Sequence, residues 1–260
     1  MRLYFCVVAQ KILRTCKKNF HLYNVEKILQ VIKMKIEIWS DYACPFCYIG
    51  EKRLEKAIAQ VDGGDKIKIE FKSFELDPTA SDKVVSSTAE RFAKKYGMTL
   101  DDAKERIEEI SLMGRREGID FKYISTRYTN TFDALRLTKF AQEKGHDEII
   151  EKLFDAYFTK NLELSDHEVL KKIAAECGLD AVEVEKFLDS EKFSEEVRRD
   201  EYEAAINGIH GVPYFVINGK FALSGAQPTE ILKGAIEDAL SEEISEKFSG
   251  MTCGADGCKF

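Results

Sequence analysis

The sequence predicts an α/β fold in which a β-α-β half and a β-β-α half flank a large all-helical insertion. Three observations support this prediction: two early segments of alternating hydrophobicity, a long central stretch with a period near 3.6 residues, and a hairpin signal followed by one last apolar helix. With 260 residues, 44% of them hydrophobic, the chain is long enough for one large domain or two small ones.

The β-α-β half comes first. Residues 35–40 (KIEIWS) and 67–76 (IKIEFKSFEL) alternate apolar and polar side chains, which predicts two strands. Between them, four apolar residues recur at helical spacing before Gly63-Gly64: Leu54, Ala57, Ile58 and Val61. A crossover of this size permits a parallel pair of strands.

The helical insertion covers residues 77–208. Its clearest apolar stripe consists of Ile150, Leu153, Phe154, Tyr157 and Phe158. We expect helices to begin where an acidic residue precedes the pattern, near Asp101, Asp166 and Asp180. We expect helices to end at Gly97, Gly145 and Gly178.

The β-β-α half follows. Residues 214–217 and 220–223 flank Asn218-Gly219, a strong signal for a β-hairpin with a type I′ turn. The last helix follows Pro228 and has an apolar face formed by Ile231, Leu232, Ala235, Ile236, Ala239 and Leu240. Without the insertion, this order is the minimal thioredoxin core. We therefore assign residues 34–76 and 209–247 to a thioredoxin-like domain and residues 248–260 to a C-terminal tail.

Charge and hydropathy narrow the choice of partners. Residues 1–33 carry seven Lys/Arg and one Glu and match the pattern of a secretory signal peptide only weakly. We interpret them as an over-extended start or a poorly packed extension. Residues 34–260 carry 32 basic and 45 acidic side chains, a net charge of −13. This charge disfavours nucleic acid, and no apolar run is long enough to span a membrane.

The stretch DYACPFCY places two thiols three residues apart just after a strand. Cys44 is expected at the start of the next helix with Pro45 at the first helical position, where free N–H groups and the helix dipole favour a thiolate. Cys47, one turn later, then acts as the resolving thiol. A zinc site and an inert buried pair are the alternatives. A zinc site needs a second pair of ligands, and Cys253 and Cys258 are the only other two cysteines that lie close to each other in the sequence.

The segment Gly211-Val-Pro-Tyr214 opens the predicted hairpin. In a thioredoxin-like architecture this strand begins beside the cysteines, so we predict a cis Pro213. Such a bond exposes the backbone of Val212 for β-type pairing with a bound peptide. Pro45, Phe46 and Val212 are the candidate substrate-binding residues.

Three segments together resemble the DsbA family, in particular its FrnE-like branch of dithiol-disulfide oxidoreductases or isomerases: IEIWSDYACPFCYIGEKRLE, NTFDALRL and GIHGVPYFVINGKFALSGAQP. The resemblance covers about residues 35–245. It implies a thioredoxin fold with a helical insertion, Cys44 as nucleophile, Cys47 as resolving cysteine and Pro213 as the active-site cis proline. Members often carry a second cysteine pair near the C-terminus, and Cys253 and Cys258 match it. These two thiols are either a secondary redox pair or a pair without a function.

Two residues depart from this family's pattern. Phe46 stands where strongly oxidising DsbA proteins have a histidine, and Leu135 stands where the branch is expected to have one. The superfamily also includes glutathione-dependent isomerases and kappa-class transferases, whose first active-site position looks like a serine. Cys44 and Cys47 together argue against that chemistry.

We therefore predict a thiol-disulfide oxidoreductase or disulfide isomerase that needs no cofactor and no metal. Its substrates are thiols or disulfides, chiefly of proteins, and its redox partner is thioredoxin or glutathione. Seven scattered cysteines favour a reducing compartment, hence the cytoplasm. The alternatives are a glutathione-dependent isomerase or transferase and a redox-regulated chaperone.

Overall fold

The β-α-β half occurs as the sequence predicts. The structure is a computed structural model that describes residues 34–249, 252–254 and 257–259, so the interpretation of residues 1–33 lies outside it. Strand β1 (Lys35–Ser40), helix α1 (Pro45–Ile58) and strand β2 (Lys68–Ser73) form this half. The two strands pair in parallel, from Lys35 opposite Lys68 to Ser40 opposite Ser73.

The insertion between β2 and the next strand is helical. In chain order the α-helices are α2 (Thr88–Tyr96), α3 (Leu100–Arg116), α4 (Phe132–Glu143), α5 (Ile149–Phe158), α6 (His167–Glu176), α7 (Ala181–Leu188) and α8 (Ser194–Ile206). Asp166 and Asp180 cap α6 and α7 as predicted, each accepting a backbone N–H. The cap of α3 is Thr99 rather than Asp101, because the threonine hydroxyl accepts the Asp102 N–H.

The β-β-α half completes a four-stranded sheet. Strands β3 (Tyr214–Ile217) and β4 (Phe221–Ser224) are joined through Asn218 and Gly219, both at positive φ as a type I′ turn requires. Helix α9 (Thr229–Ser249) follows, and β5 (Thr252–Gly254) and β6 (Gly257–Lys259) form a separate hairpin. The sheet order is β2-β1-β3-β4, with β3 antiparallel to β1.

This architecture confirms the predicted α/β thioredoxin-like fold with a helical insertion. The division into domains at residues 76 and 208 stays a prediction. In the part of the chain that the structure describes, no helix is both long and apolar enough to cross a membrane.

The core has two main parts. One face of the sheet packs against α1 and α9 through fully or nearly fully buried residues: Ile36, Ile38, Phe215, Ile217, Leu232 and Ile236. Ile231 was predicted to lie on this apolar face of α9, and that prediction is wrong. It is 50% exposed, because the buried stripe runs from Leu232 through Ile236. The second part joins the start of α1 to the helical insertion and surrounds both cysteines of the Cys-x-x-Cys segment.

Candidate functional site

Cys44 occupies the N-cap position of α1, and Pro45 is the first helical residue. The turn before it is held by two hydrogen bonds to Asp41: the Cys44 N–H donates to the Asp41 carbonyl at 3.0 Å, and the Ala43 N–H donates to Asp41 Oδ1 at 3.0 Å. Cys44 therefore sits where the unpaired N–H groups of the first turn and the helix dipole favour negative charge.

Cys47 lies one helical turn below and is 1% exposed. Burial raises the pKa of the Cys47 thiol well above its ordinary value, and the neighbouring Cys44 raises it further, while the Ser40 hydroxyl and the Asp41 backbone oppose the shift. Both thiols are free in this structure. Cys47 thus keeps its proton under conditions in which an ordinary cysteine begins to lose it.

The loop that enters β3 lies against both the thiol and the helix. The Val212–Pro213 peptide bond is cis, and the Cys44 thiol donates to the Val212 carbonyl with an Sγ–O distance of 3.4 Å. A Cβ placed on Gly50 of α1 lies 3.0 Å from Pro213 Cγ and 3.2 Å from Phe215 Cζ. The glycine therefore lets α1 and this loop approach closely.

A pocket of about 470 Å³ opens beside Cys44, a volume in the range of small-molecule sites. Cys44, Pro45, Phe46 and Val212 line it together with residues of α2, α3 and the Tyr123 turn. Cys47 is not among its lining residues. Of the two thiols, the one that faces the pocket is Cys44.

Three functional candidates were missed by the sequence analysis. Buried Asp41 accepts the Leu76 N–H at 2.8 Å and the Thr131 hydroxyl at 2.9 Å, in addition to the Ala43 N–H. Burial raises the pKa of Asp41, and these hydrogen bonds and Arg91 oppose the shift. Arg91 and Tyr123 line the pocket. A polar residue directly after β1 was a signal for Asp41, but the positions of Arg91 and Tyr123 depend on helix packing.

Cys253, Cys258 and Leu135, which the sequence singles out, are not lining residues of this pocket, nor are Cys177 and His210. The backbone register of the β5–β6 hairpin pairs Cys253 with Cys258. Leu135 is fully buried in α4 and Cys177 is 6% exposed, whereas His210 is exposed. Among the described residues, no group of three or more His, Cys, Asp or Glu side chains could hold a metal ion.

The contact between Gly50 and the Pro213 loop leads to a stability prediction. Gly50→Ala is expected to lower the free energy of unfolding by about 1–2 kcal/mol in urea denaturation, because the new methyl group overpacks against Pro213 and Phe215. Gly234→Ala in α9, where a Cβ meets nothing within 4 Å, is the matched control and is expected to gain about 0.5–1 kcal/mol. Equal gains in both variants would show that the loop is not tightly packed on α1.

Glu51, also on α1, makes stability depend on pH. Its Oε2 is buried without a hydrogen-bond partner, and burial raises the pKa of Glu51 to about 8 from an ordinary value of 4.5, with Glu55 adding to the shift and Lys52 opposing it. Folded Glu51 holds its proton to a higher pH than the unfolded chain does. Its contribution to stability is therefore complete below pH 4.5 and is lost as the pH rises through about 8.

Glu51→Gln should match the wild type near pH 4 and exceed its unfolding free energy at pH 9 by on the order of 3 kcal/mol. Urea denaturation at several pH values measures this difference. The control Glu105→Gln, at an exposed position of α3, is expected to stay within about 0.5 kcal/mol throughout. A Glu51→Gln difference that does not grow with pH contradicts the prediction.

Comparison with known proteins agrees with this geometry. A family model for the DSBA-like thioredoxin domain matches residues 35–237. The "probable DsbA oxidoreductase" of Streptomyces coelicolor is 33% identical and superposes with a TM-score of 0.76, covering 87% of this chain and 99% of that one. The Bacillus subtilis protein YwbO, itself uncharacterized, is 28% identical over 212 residues, which are 78% of this chain and 96% of that protein.

A more distant structure shares the fold alone. The cytosolic disulfide reductase DsbM of Pseudomonas aeruginosa, solved with GSH, is 13% identical with a TM-score of 0.54, over 82% of this chain and 99% of that one. The family match covers most of the sequence, so the chain belongs to the DSBA-like thioredoxin domain family. Its class is that of the thiol-disulfide oxidoreductases.

Proposed function

We propose that the chain exchanges thiols and disulfides through the active site Cys44-Pro45-Phe46-Cys47, with Cys44 as nucleophile and Cys47 as resolving thiol. The observation that supports this most directly is the difference between the two cysteines. Cys44 lines a pocket at the N-terminus of a helix, whereas Cys47 lies beneath it with a raised pKa. The FrnE-like branch is the proposed place of the chain within the family.

The proposed reaction with a disulfide has two steps. The Cys44 thiolate attacks one sulfur of the substrate, forming a mixed disulfide and releasing the other sulfur as a thiolate. Cys47 then attacks Cys44 Sγ, its proton passing to the departing thiol, and the Cys44–Cys47 disulfide forms. Two electrons move from the dithiol to the substrate, and the reverse sequence oxidises a substrate dithiol.

The loop before β3 is proposed to present the substrate. The Val212 carbonyl now accepts the Cys44 thiol hydrogen, which is lost when Cys44 becomes a thiolate or a mixed disulfide. The Val212 backbone then becomes available to an extended peptide, as in β-strand addition. Pro45 and half-exposed Phe46 form the adjoining wall of the pocket. We propose protein thiols or disulfides as substrates, thioredoxin or glutathione as redox partner, and the cytoplasm as location.

Cys253 and Cys258 are proposed as a secondary redox pair. Directly opposed residues of antiparallel strands have Cα atoms about 4.5–5.5 Å apart, within the range of about 4.4–6.8 Å that a disulfide requires. Their opposition in the β5–β6 register supports the proposal. A disulfide there would relay electrons to the Cys44–Cys47 pair or protect the tail.

A glutathione redox titration of the purified protein tests the proposed function. The thiol state at each ratio is read by alkylation and mass spectrometry, with a Cys253→Ser/Cys258→Ser double variant to isolate the first pair. We expect one reversible two-electron transition that links Cys44 to Cys47. If no such disulfide forms at any ratio, the Cys-x-x-Cys site is not redox-active, and the glutathione-enzyme alternative gains support.

A further inference from the structure

An uncompensated cation lies on the wall of the active-site pocket. Arg91 of α2 lines this pocket together with Cys44. Its Nε and Nη2 atoms are buried and have no hydrogen-bond partner. Unpaired buried donors are costly, and in native proteins they usually gain a partner from water, an ion or a ligand.

The residues around Arg91 hold its guanidinium but do not neutralise it. The group stacks on the Tyr128 ring, with its Cζ 3.9 Å from the ring centroid. Asp41 is within electrostatic range, since Arg91 lowers the pKa of this carboxyl, yet the Asp41 oxygens accept from Ala43, Leu76 and Thr131. No ion pair joins Arg91 to any residue that the structure describes. The guanidinium is thus held by stacking on Tyr128 and by the Tyr123 side chain, while its positive charge is not neutralised by an ion pair with any described residue.

Arg91 and the reacting thiol share a neighbour, Tyr123, on the pocket wall. Burial raises the pKa of Tyr123 to about 12, the Arg91 charge lowers it, and the Cys44 charge raises it, so Tyr123 is within electrostatic range of both groups. Elsewhere on the pocket wall, Arg106 is already paired with Glu109 at 2.6 Å. Lys95 also lines the pocket and has no ion pair among the described residues. Although the whole chain carries a charge of −7, this pocket therefore presents two cations without an ion pair, Arg91 and Lys95.

We propose that Arg91 binds a carboxylate of the substrate, so that the preferred small substrates of this pocket are disulfides bearing a carboxylate beside an apolar segment. Arginine suits this role because its planar fork donates two parallel hydrogen bonds to a carboxylate. The apolar part of the substrate lies against the pocket residues Phe92, Met113 and Val212. The proposal rests on the proposed function, because the bound carboxylate places a substrate sulfur at Cys44.

The bond changes are those of the exchange reaction. Cys44 thiolate attacks a sulfur of the anionic disulfide and releases one carboxylate-bearing thiolate. Cys47 then displaces the second, and its proton is taken up by that thiolate. The substrate gains two electrons and leaves as one thiolate and one thiol, and the protein retains the Cys44–Cys47 disulfide. Arg91 takes no part in electron transfer and acts only by binding.

The test compares two small disulfides of similar length. Reduced protein is mixed with 3,3′-dithiodipropionate, which carries two carboxylates, or with bis(2-hydroxyethyl) disulfide, which is neutral. Quenching by alkylation followed by mass spectrometry gives each second-order rate constant. Each constant is divided by the rate constant of the same disulfide with dithiothreitol, which removes intrinsic differences in reactivity. The normalised ratio of the anionic to the neutral rate is the readout.

We expect this ratio to be at least about 10 for the wild type and to fall at least tenfold in Arg91→Met, since a charge-assisted pair is worth that factor or more. Lys94→Met, at an exposed position of the same helix, is expected to keep the ratio within about twofold. Arg91→Lys, which keeps the charge but loses the fork, should give an intermediate ratio.

Two results overturn the proposal. The first is a wild-type ratio near or below 1, and the second is an Arg91→Met variant that slows both disulfides equally, which assigns Arg91 to the thiol or the fold. Failure of the proposed function looks different, because then neither disulfide reacts with Cys44 at all. Reaction of the neutral disulfide alone leaves the proposed function standing and rejects only the role of Arg91.

Discussion

Cys44→Ser is expected to reduce the rate of thiol-disulfide exchange by at least about a thousandfold, the largest effect of any single substitution in this chain. A serine hydroxyl at the start of α1 is not ionised near neutral pH and cannot form a disulfide. Cys47 does not replace Cys44, because it lies outside the pocket wall and its pKa is raised well above the ordinary value. Insulin reduction or exchange with a small disulfide measures the loss.

The matched control is Cys177→Ser. Cys177 is also a free, buried thiol, but it lies at the end of α6 and is not a pocket residue. Burial raises the pKa of Cys177 to about 11, so it contributes little thiolate near neutral pH. Cys177→Ser should keep the exchange rate within about twofold. Activity that survives Cys44→Ser would instead support a glutathione-dependent isomerase or transferase.

Asp200→Ala is expected to lower the free energy of unfolding by about 3–5 kcal/mol, the largest stability effect we predict outside the apolar core. Asp200 of α8 is 1% exposed and forms ion pairs with Lys72, at 3.4 Å, and Lys139. It also accepts the Ser73 N–H at 2.9 Å. Its loss removes the ion pair that the described residues give the largely buried Lys139, and it releases α8 from the end of β2. Lys72 loses one partner but keeps Glu70 and Glu203.

Glu203→Ala provides the control on the same helix. Glu203 also pairs with Lys72, at 3.0 Å, but its side chain is 35% exposed. A pair open to solvent contributes little, so this variant is expected to lose less than about 1 kcal/mol in urea denaturation. Equal losses in the two variants would mean that burial of Asp200 does not set the strength of the cluster.

Local sequence patterns predicted the fold well, because its helices and turns depend on interactions between residues that are close in the sequence. The type I′ turn at Asn218-Gly219 and the proline at the start of α1 each depend on neighbours within a few residues. Element boundaries were less accurate. The strand predicted for residues 67–76 spans Lys68–Ser73, because the backbone pairs with β1 only as far as Ser40.

Site residues that belong to a short sequence motif could be predicted, whereas those that tertiary packing brings to the pocket could not. Cys44 and Cys47 are recognisable from their spacing, and Pro213 becomes recognisable once the fold is inferred. Arg91 reaches the same pocket from 47 positions farther along the chain, because α2 and the start of α1 both contribute to its lining. Nothing in the sequence around Arg91 distinguishes it from an ordinary helix-surface arginine.

The measurement that tests the central claim most directly is trapping of the mixed disulfide. Reduced Cys47→Ser protein is mixed with a small disulfide and examined by intact-mass and peptide mass spectrometry, with Cys44→Ser treated in parallel. The account predicts one adduct on Cys44 in the Cys47→Ser protein, released by dithiothreitol, and no adduct on Cys47 in the Cys44→Ser protein over the same time. An adduct that forms preferentially on Cys47, or none on Cys44, would contradict the assignment of Cys44 as the nucleophile.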